Sequence, residues 1–146
     1  MKFIQGKFTP TNPQKYVGNV NAILYRSSWE LKLFKYLDRH PSVINWNSEE
    51  IVIPYISIDN RQHRYLPDVI AKFTTRSGTT KTVLIEVKPK SQTVQPKKGK
   101  KRQTTYINEM LTWGKNEAKW SAARIFCEKQ GWEFVIMTEE NLGIIT

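Results

Sequence analysis

Pro67-Asp68 and, further along, Glu86-Val87-Lys88 are the residues of this chain whose types and spacing could do chemistry. Both sets sit in apolar runs with strand character, Val69-Ile70 after Asp68 and Val83-Leu84-Ile85 before Glu86. The turn between the runs sets their register. With Arg76-Ser77-Gly78 as a three-residue loop and Gly78 left-handed, Thr75 faces Thr79. Counting outward then sets Asp68 opposite Glu86. Directly opposed residues hold their Cβ atoms about 4.5–5.5 Å apart. Two carboxylates that close repel unless a proton or a cation lies between them. Mg²⁺ accepts such a pair and keeps positions open for water and phosphate oxygens, and Mn²⁺ is expected to substitute. Alternation places Thr82, Leu84, Glu86 and Lys88 on one side of the strand, with Val83, Ile85 and Val87 on the other. Lys88 therefore stands beside Glu86, where an ammonium could orient water and offset charge developing on a phosphate. Metal-assisted hydrolysis of a phosphodiester is the chemistry this set suits. The alternative is an ordinary surface hairpin with cross-strand acid–lysine pairs. The flanking apolar residues argue instead for strands covered on both faces, where carboxylates require partners.

A helix offers a third carboxylate. Ser27 can cap a helix and Glu30 can complete a capping box. Leu33, Phe34 and Leu37 form one apolar stripe, and Glu30 falls in register with it, facing the sheet. Capping explains Glu30 without catalysis, and the two roles are compatible. Pro41 closes the segment. Strands are expected at Ile51–Ile58, with Pro54 marking an edge or bulge, at His63–Phe73 and at Thr82–Lys88. A polar loop over 89–103 leads into a helix over Thr104–Gln130, with a break near Gly114 and with Ala118, Ala122, Ile125 and Phe126 on one face. Gly131 stops it, and a last strand spans Trp132–Met137. The order is helix, three strands, helix, strand, which predicts an α/β fold with a mixed central sheet flanked by helices. Residues 1–24 read as an extended N-terminal arm, broken by Gly6, Pro10, Pro13 and Gly18, and 25–146 as a single domain.

Composition bounds the partners. The 146 residues fit one domain, and 12% aromatics with five Trp argue against disorder. One Cys excludes a disulfide framework and a cysteine-based zinc site. No run approaches a membrane span and no signal-peptide pattern opens the chain, so a reducing cytosol and no membrane partner are expected. Twenty-three Lys and Arg against thirteen Asp and Glu give +10, which points to a polyanion, most simply nucleic acid. Seven of the fifteen residues from Lys88 to Arg102 are basic. Lys90, Lys97, Lys98, Lys100, Lys101 and Arg102 would track phosphates there, and Lys115 and Lys119 would extend the track along the second helix. Trp113 and Trp120 read as core residues, as does Cys127, and His40 and His63 lack metal-ligand spacing.

The Asp68, Glu86 and Lys88 set resembles that of the PD-(D/E)XK nuclease superfamily, whose αβββαβ core has the order read above. Tyr25 to Glu30, Ile53-Pro54-Tyr55, Arg64 to Asp68, Ile85 to Lys90, Asn116 to Trp120 and Glu128 to Glu139 further resemble the head completion nucleases of contractile-tailed phages. That family is grouped with TnsA-type transposon endonucleases. The resemblance implies that Asp68 and Glu86 bind metal, that Lys88 is catalytic, and that Glu30 and the Val87 carbonyl are further ligands. It also implies a Mg²⁺-dependent DNA endonuclease of phage head completion and packaging. Phage head or neck proteins would be its partners, and it would reside in the host cytoplasm during assembly or in the virion. A rival reading is a nuclease fold retained as a DNA-binding structural protein of the head. An RNA-binding module is disfavoured, because the RNP aromatic pattern and the GXXG loop are missing.

Overall fold

A computed structural model describes residues 4–143; residues 1–3 of the arm and 144–146 lie outside the described part. In chain order the elements are β1 (Gly6–Lys7), β2 (Leu24–Tyr25), α1 (Ser28–Arg39), β3 (Val43–Ser48), β4 (Ile53–Ile56), β5 (Gln62–Tyr65), β6 (Val69–Thr74), β7 (Thr80–Val87), α2 (Gln103–Gln130), β8 (Glu133–Met137) and α3 (Glu139–Leu142). The central sheet has the order β3-β6-β7-β8. Its first two pairings are antiparallel and β7–β8 is parallel, so the sheet is mixed. A parallel pair needs a long crossover, which α2 supplies.

The turn after β6 follows the chemistry of its residues. Gly78 has φ +84°, and Thr75 N–H donates to Thr79 O at 2.8 Å. Pairing then runs without a slip from Thr74↔Thr80 to Val69↔Ile85. Alternation along β7 feeds two cores. Val83, Ile85 and Val87 pack under α1 with Trp29, Leu33, Phe34 and Leu37, while Leu84 packs under α2 with Trp120, Ala123 and Cys127.

The expected strands need correction. The run Ile51–Ile58 contributes only Ile53–Ile56, and it pairs with β5 in a separate two-stranded sheet. The run His63–Phe73 is not one strand. It breaks at Leu66-Pro67-Asp68, because proline lacks the N–H a ladder requires and biases its predecessor. The first strand of the central sheet is instead Val43–Ser48, absent from the sequence reading. Its alternation is hidden by a bulge between Val43 and Asn45, by an exposed Ile44 and by two Asn residues.

Both long helices are also adjusted. Ser27 caps α1 by accepting from Glu30 N–H at 3.1 Å. No break occurs in α2 at Gly114, where a Cβ would stand 3.1 Å from the Ile58 side chain, so the glycine admits the β4–β5 turn against the helix. The buried line of α2 is Asn116, Trp120, Ala123 and Cys127, whereas Ile125 is exposed.

Along the N-terminal segment, Phe8, Tyr16 and Ile23 enter the α1-side core, with Phe8 and Tyr16 edge-on to Trp46. Asp38 tethers this segment. Its buried carboxylate accepts from the backbone N–H of Thr11 at 2.8 Å and of Asn12 at 2.9 Å. Asp38→Ala is therefore expected to destabilise the protein by about 2–3 kcal/mol, since both bonds are charge-assisted. Urea unfolding at neutral pH measures this, and an unchanged midpoint would mean the tether contributes nothing.

Candidate active site

The site forms where β7 ends. The β6–β7 pairing ends at Val69↔Ile85, and just past it Asp68 and Glu86 line one cleft, close enough for each charge to act on the other. The break at Pro67 frees the Asp68 backbone from the ladder, and its carbonyl accepts from Glu49 N–H at 3.2 Å. Its carboxylate reaches across to accept from Val87 N–H at 2.7 Å. On the other flank, Lys88 N–H donates to Met137 O of β8 at 3.0 Å, which fixes the chain just past the carboxylates. The first turn of α1 brings in Glu30. The result is a cleft of about 540 Å³ lined by Arg26, Glu30, Asp68, Glu86, Val87 and Lys88.

Its electrostatics are those of crowded acids. Glu86 is only 6% exposed. Burial first, and the neighbouring Asp68 second, push its pKa up, against the pull of the Tyr65 hydroxyl, Lys88 and Lys119. Asp68 is raised too, by burial, although the Val87 N–H, Lys88 and Arg26 oppose the shift. Glu30 rises to about 7, through burial and then the charge of Asp68. Three carboxyl groups in one cleft thus resist ionising in the absence of a counter-charge.

Among the described residues no group of three His, Cys, Asp or Glu side chains is placed to hold a metal ion. Asp68 and Glu86 are neighbours in the cleft, and Glu30 shares it without completing a cluster. Two carboxylates with a neighbouring backbone carbonyl fit an ion that retains most of its waters, as Mg²⁺ does. They do not fit a structural zinc site, which closes its shell with four protein ligands.

The expected basic track is only partly free. Lys97, Lys98, Lys100 and Arg102 are exposed on the loop. Lys90 instead ties the loop to α3, its ammonium on Glu140 and its N–H on Glu139, both at 2.8 Å. Lys101 pairs with Glu109 at 3.0 Å. On α2, Lys115 is exposed, while Lys119 lies 5.8 Å from the centre of the Tyr65 ring and acts on Glu86. Trp120 is in the core as expected, but Trp113 belongs to neither core and lines a groove beside the loop.

Two residues at the cleft had no role in the sequence reading. Tyr65, buried at the end of β5, donates its hydroxyl to Glu86 Oε2, and burial beside that carboxylate holds its pKa far above the usual phenol value. Arg26 pairs with Glu49 and acts on both Glu30 and Asp68. Only the folding of a separate hairpin onto α2 reveals Tyr65. Arg26 had a usable signal, a cation immediately before the cap of a helix whose Glu faces inward.

A mixed sheet whose strand ends gather acids, a lysine and an arginine defines a domain suited to phosphodiester chemistry. Residues 40–139 match the family model described as TnsA-like endonuclease N terminal, a span that contains Asp68, Glu86 and Lys88 but not Glu30. The chain belongs to this endonuclease family. It is 39% identical over 145 residues to the head completion nuclease of Enterobacteria phage T4, covering 94% of this chain and 92% of that protein. No solved structure matches it.

The raised acids set a pH dependence. They bind more protons folded than unfolded over the interval between the two pKa values. For Glu30 that interval runs from 4.5 to about 7. Its contribution is fully present below 4.5 and is lost as pH rises through about 7. In chelator, the melting temperature of the parent is expected to fall across this window relative to Glu30→Gln. Parallel profiles for the two proteins would show that Glu30 carries no raised pKa.

Proposed function

We propose that this chain is a Mg²⁺-dependent DNA endonuclease that acts on packaged DNA during phage head completion. The observation that supports it best is the gathering of half-buried Asp68 and buried Glu86 in one cleft that Lys88 also lines. Asp68, Glu86 and the Val87 carbonyl would hold the ion, with Glu30 as a further acidic group of the same cleft. When bound, the ion would polarise the phosphoryl group and acidify a water. Lys88 would orient the attacking water and offset charge developing on the phosphate oxygens. Tyr65, by donating to Glu86, favours the ionised carboxylate and holds its rotamer. The phage role rests on the likeness to the head completion nuclease. It carries with it head or neck proteins as partners, and location in the host cytoplasm or the virion.

Plasmid nicking with Mg²⁺ tests the assignment. Activity is expected to vanish in EDTA and to return with Mn²⁺. Lys88→Ala is expected to lose at least about 100-fold in rate, in the range usual for a positioned proton-transfer or charge-stabilising group. Equal rates in parent and variant would remove Lys88 from the mechanism. No cleavage by the parent, with tight binding retained, would favour the structural DNA-binding reading.

The exposed loop carries a separate expectation. Replacing Lys97, Lys98 and Lys100 together with Ala should flatten the dependence of log affinity on log salt, by about 0.9 on duplex DNA for each phosphate left without its lysine. An unaltered slope would place the phosphate-binding cations elsewhere.

A further inference from the structure

The N-terminal segment supplies one wall of the cleft. There β1 pairs with β2 through Gly6↔Tyr25 and Lys7↔Leu24. Just past that pairing, Gln5 and Arg26 both line the cleft. The segment is anchored elsewhere, by Phe8 in the core and by Asp38 on the backbone of Thr11 and Asn12. Arg26 is thus carried on a well-packed support, although its own side chain is 54% exposed. Its Nη1 donates to Glu49 Oε1. That bond uses one N–H of a planar fork that carries five. Glu49 follows β3 directly and grips the guanidinium from outside the cleft lining, so the rest of the fork is left to the cleft.

Glu49 is itself unusual. Its φ is +56°, in the left-handed region that a β-carbon disfavours. Such a residue costs about 1–3 kcal/mol and persists only where its surroundings hold it. Here its N–H donates to Asp68 O at 3.2 Å while its carboxylate holds Arg26. One strained residue therefore ties the backbone of an acid to the arginine of the same cleft. The tie prevents a competition. Arg26 is near enough to Glu30 and Asp68 for its charge to act on both. A guanidinium forked onto either would occupy the oxygens that a divalent ion needs. Glu49 offers it a carboxylate outside the metal-binding set.

Resting on the nuclease reading above, we infer that Arg26 is the phosphate clamp of the cleft. Its remaining N–H groups take the non-bridging oxygens of the phosphodiester that is cut, while Glu49 holds it off the metal-binding carboxylates. Arg26 then touches substrate, and Glu49 is a positioning residue that acts through Arg26. The planar fork suits two oxygens of one phosphate, which the point charge of an ammonium does not match.

Plasmid nicking with Mg²⁺, and calorimetric titration of Mn²⁺ without DNA, test this together. Arg26→Ala should lose at least about 100-fold in kcat/KM, as removal of one charge-stabilising donor does. Arg26→Lys should lose at least about ten-fold, since it keeps the charge but not the fork. In the titration, Arg26→Ala should hold Mn²⁺ as tightly as the parent or more tightly, because a cation beside the carboxylates is gone. Glu49→Gly should hold Mn²⁺ about three-fold more weakly, because Arg26 turns onto Glu30 and Asp68, and adding Arg26→Ala should restore the affinity. The melting temperature of Glu49→Gly in chelator should not fall, because glycine adopts a positive φ without strain. Full activity in Arg26→Lys overturns the clamp, and so does a weakened Mn²⁺ site in Arg26→Ala, which would make Arg26 an organiser of the acids. Unchanged Mn²⁺ affinity in Glu49→Gly, or a loss that Arg26→Ala does not reverse, overturns the role of Glu49. A parent that nicks beside equally active Arg26 variants sinks the clamp alone, whereas a parent that neither nicks nor binds Mn²⁺ sinks the nuclease reading and the clamp with it.

Discussion

Asp68, just before β6, and Glu86 of β7 act on one another across a cleft in which burial raises both, and the rest of the site is arranged around the free energy of that crowding. Like charges so close, with little water to screen them, favour uptake of a proton or a cation. The protein answers only in part. A backbone N–H serves Asp68, a tyrosine hydroxyl serves Glu86, and Lys88, Arg26 and Lys119 supply positive potential. None of these neutralises the pair, since burial still dominates both shifts. Such unrelieved repulsion among titratable groups in a cleft is a physical mark of a functional centre rather than of a structural ion pair.

Holding the carboxylates in place requires elements from the whole chain. The Gly78 turn sets the β6–β7 register, and β8 fixes Lys88 through the backbone. Behind the pair, α1 packs on the alternate residues of β7, so the face bearing Glu86 cannot rotate without exposing Val83, Ile85 and Val87. On the other side, the β4–β5 hairpin carries Tyr65 against α2. Pro67 lies in the break between β5 and β6 immediately before Asp68, so one residue serves both as a strand breaker and as the neighbour of a catalytic candidate.

The charge of +10 is not spread as a uniform phosphate track. Lys90 and Lys101 hold the loop to α3 and α2 through acidic partners. The loop thereby becomes a wall of the groove beside the cleft. Lys97, Lys98 and Lys100, between those anchors, remain exposed.

Much of this was legible along the chain. The Ser27 cap, the Gly78 turn, the period-two pattern of β7 and the Gly131 stop depend on residues near one another in sequence, so their chemistry can be read directly. Counting outward from the same local turn gives the register as far as Val69↔Ile85 and so brings Asp68 near Glu86. The strand Val43–Ser48 was not legible, because a bulge and an outward-facing isoleucine interrupt its alternation. Nor was the splitting of the second strand, since Val69 to Phe73 and His63 to Tyr65 each look like strand and only their pairing with different partners separates them. The placement of Tyr65, Arg26 and Lys119 around the carboxylates was settled by tertiary structure alone. Their contacts span elements whose mutual docking depends on how two hydrophobic faces of one sheet are covered, and no periodicity within a segment encodes that packing.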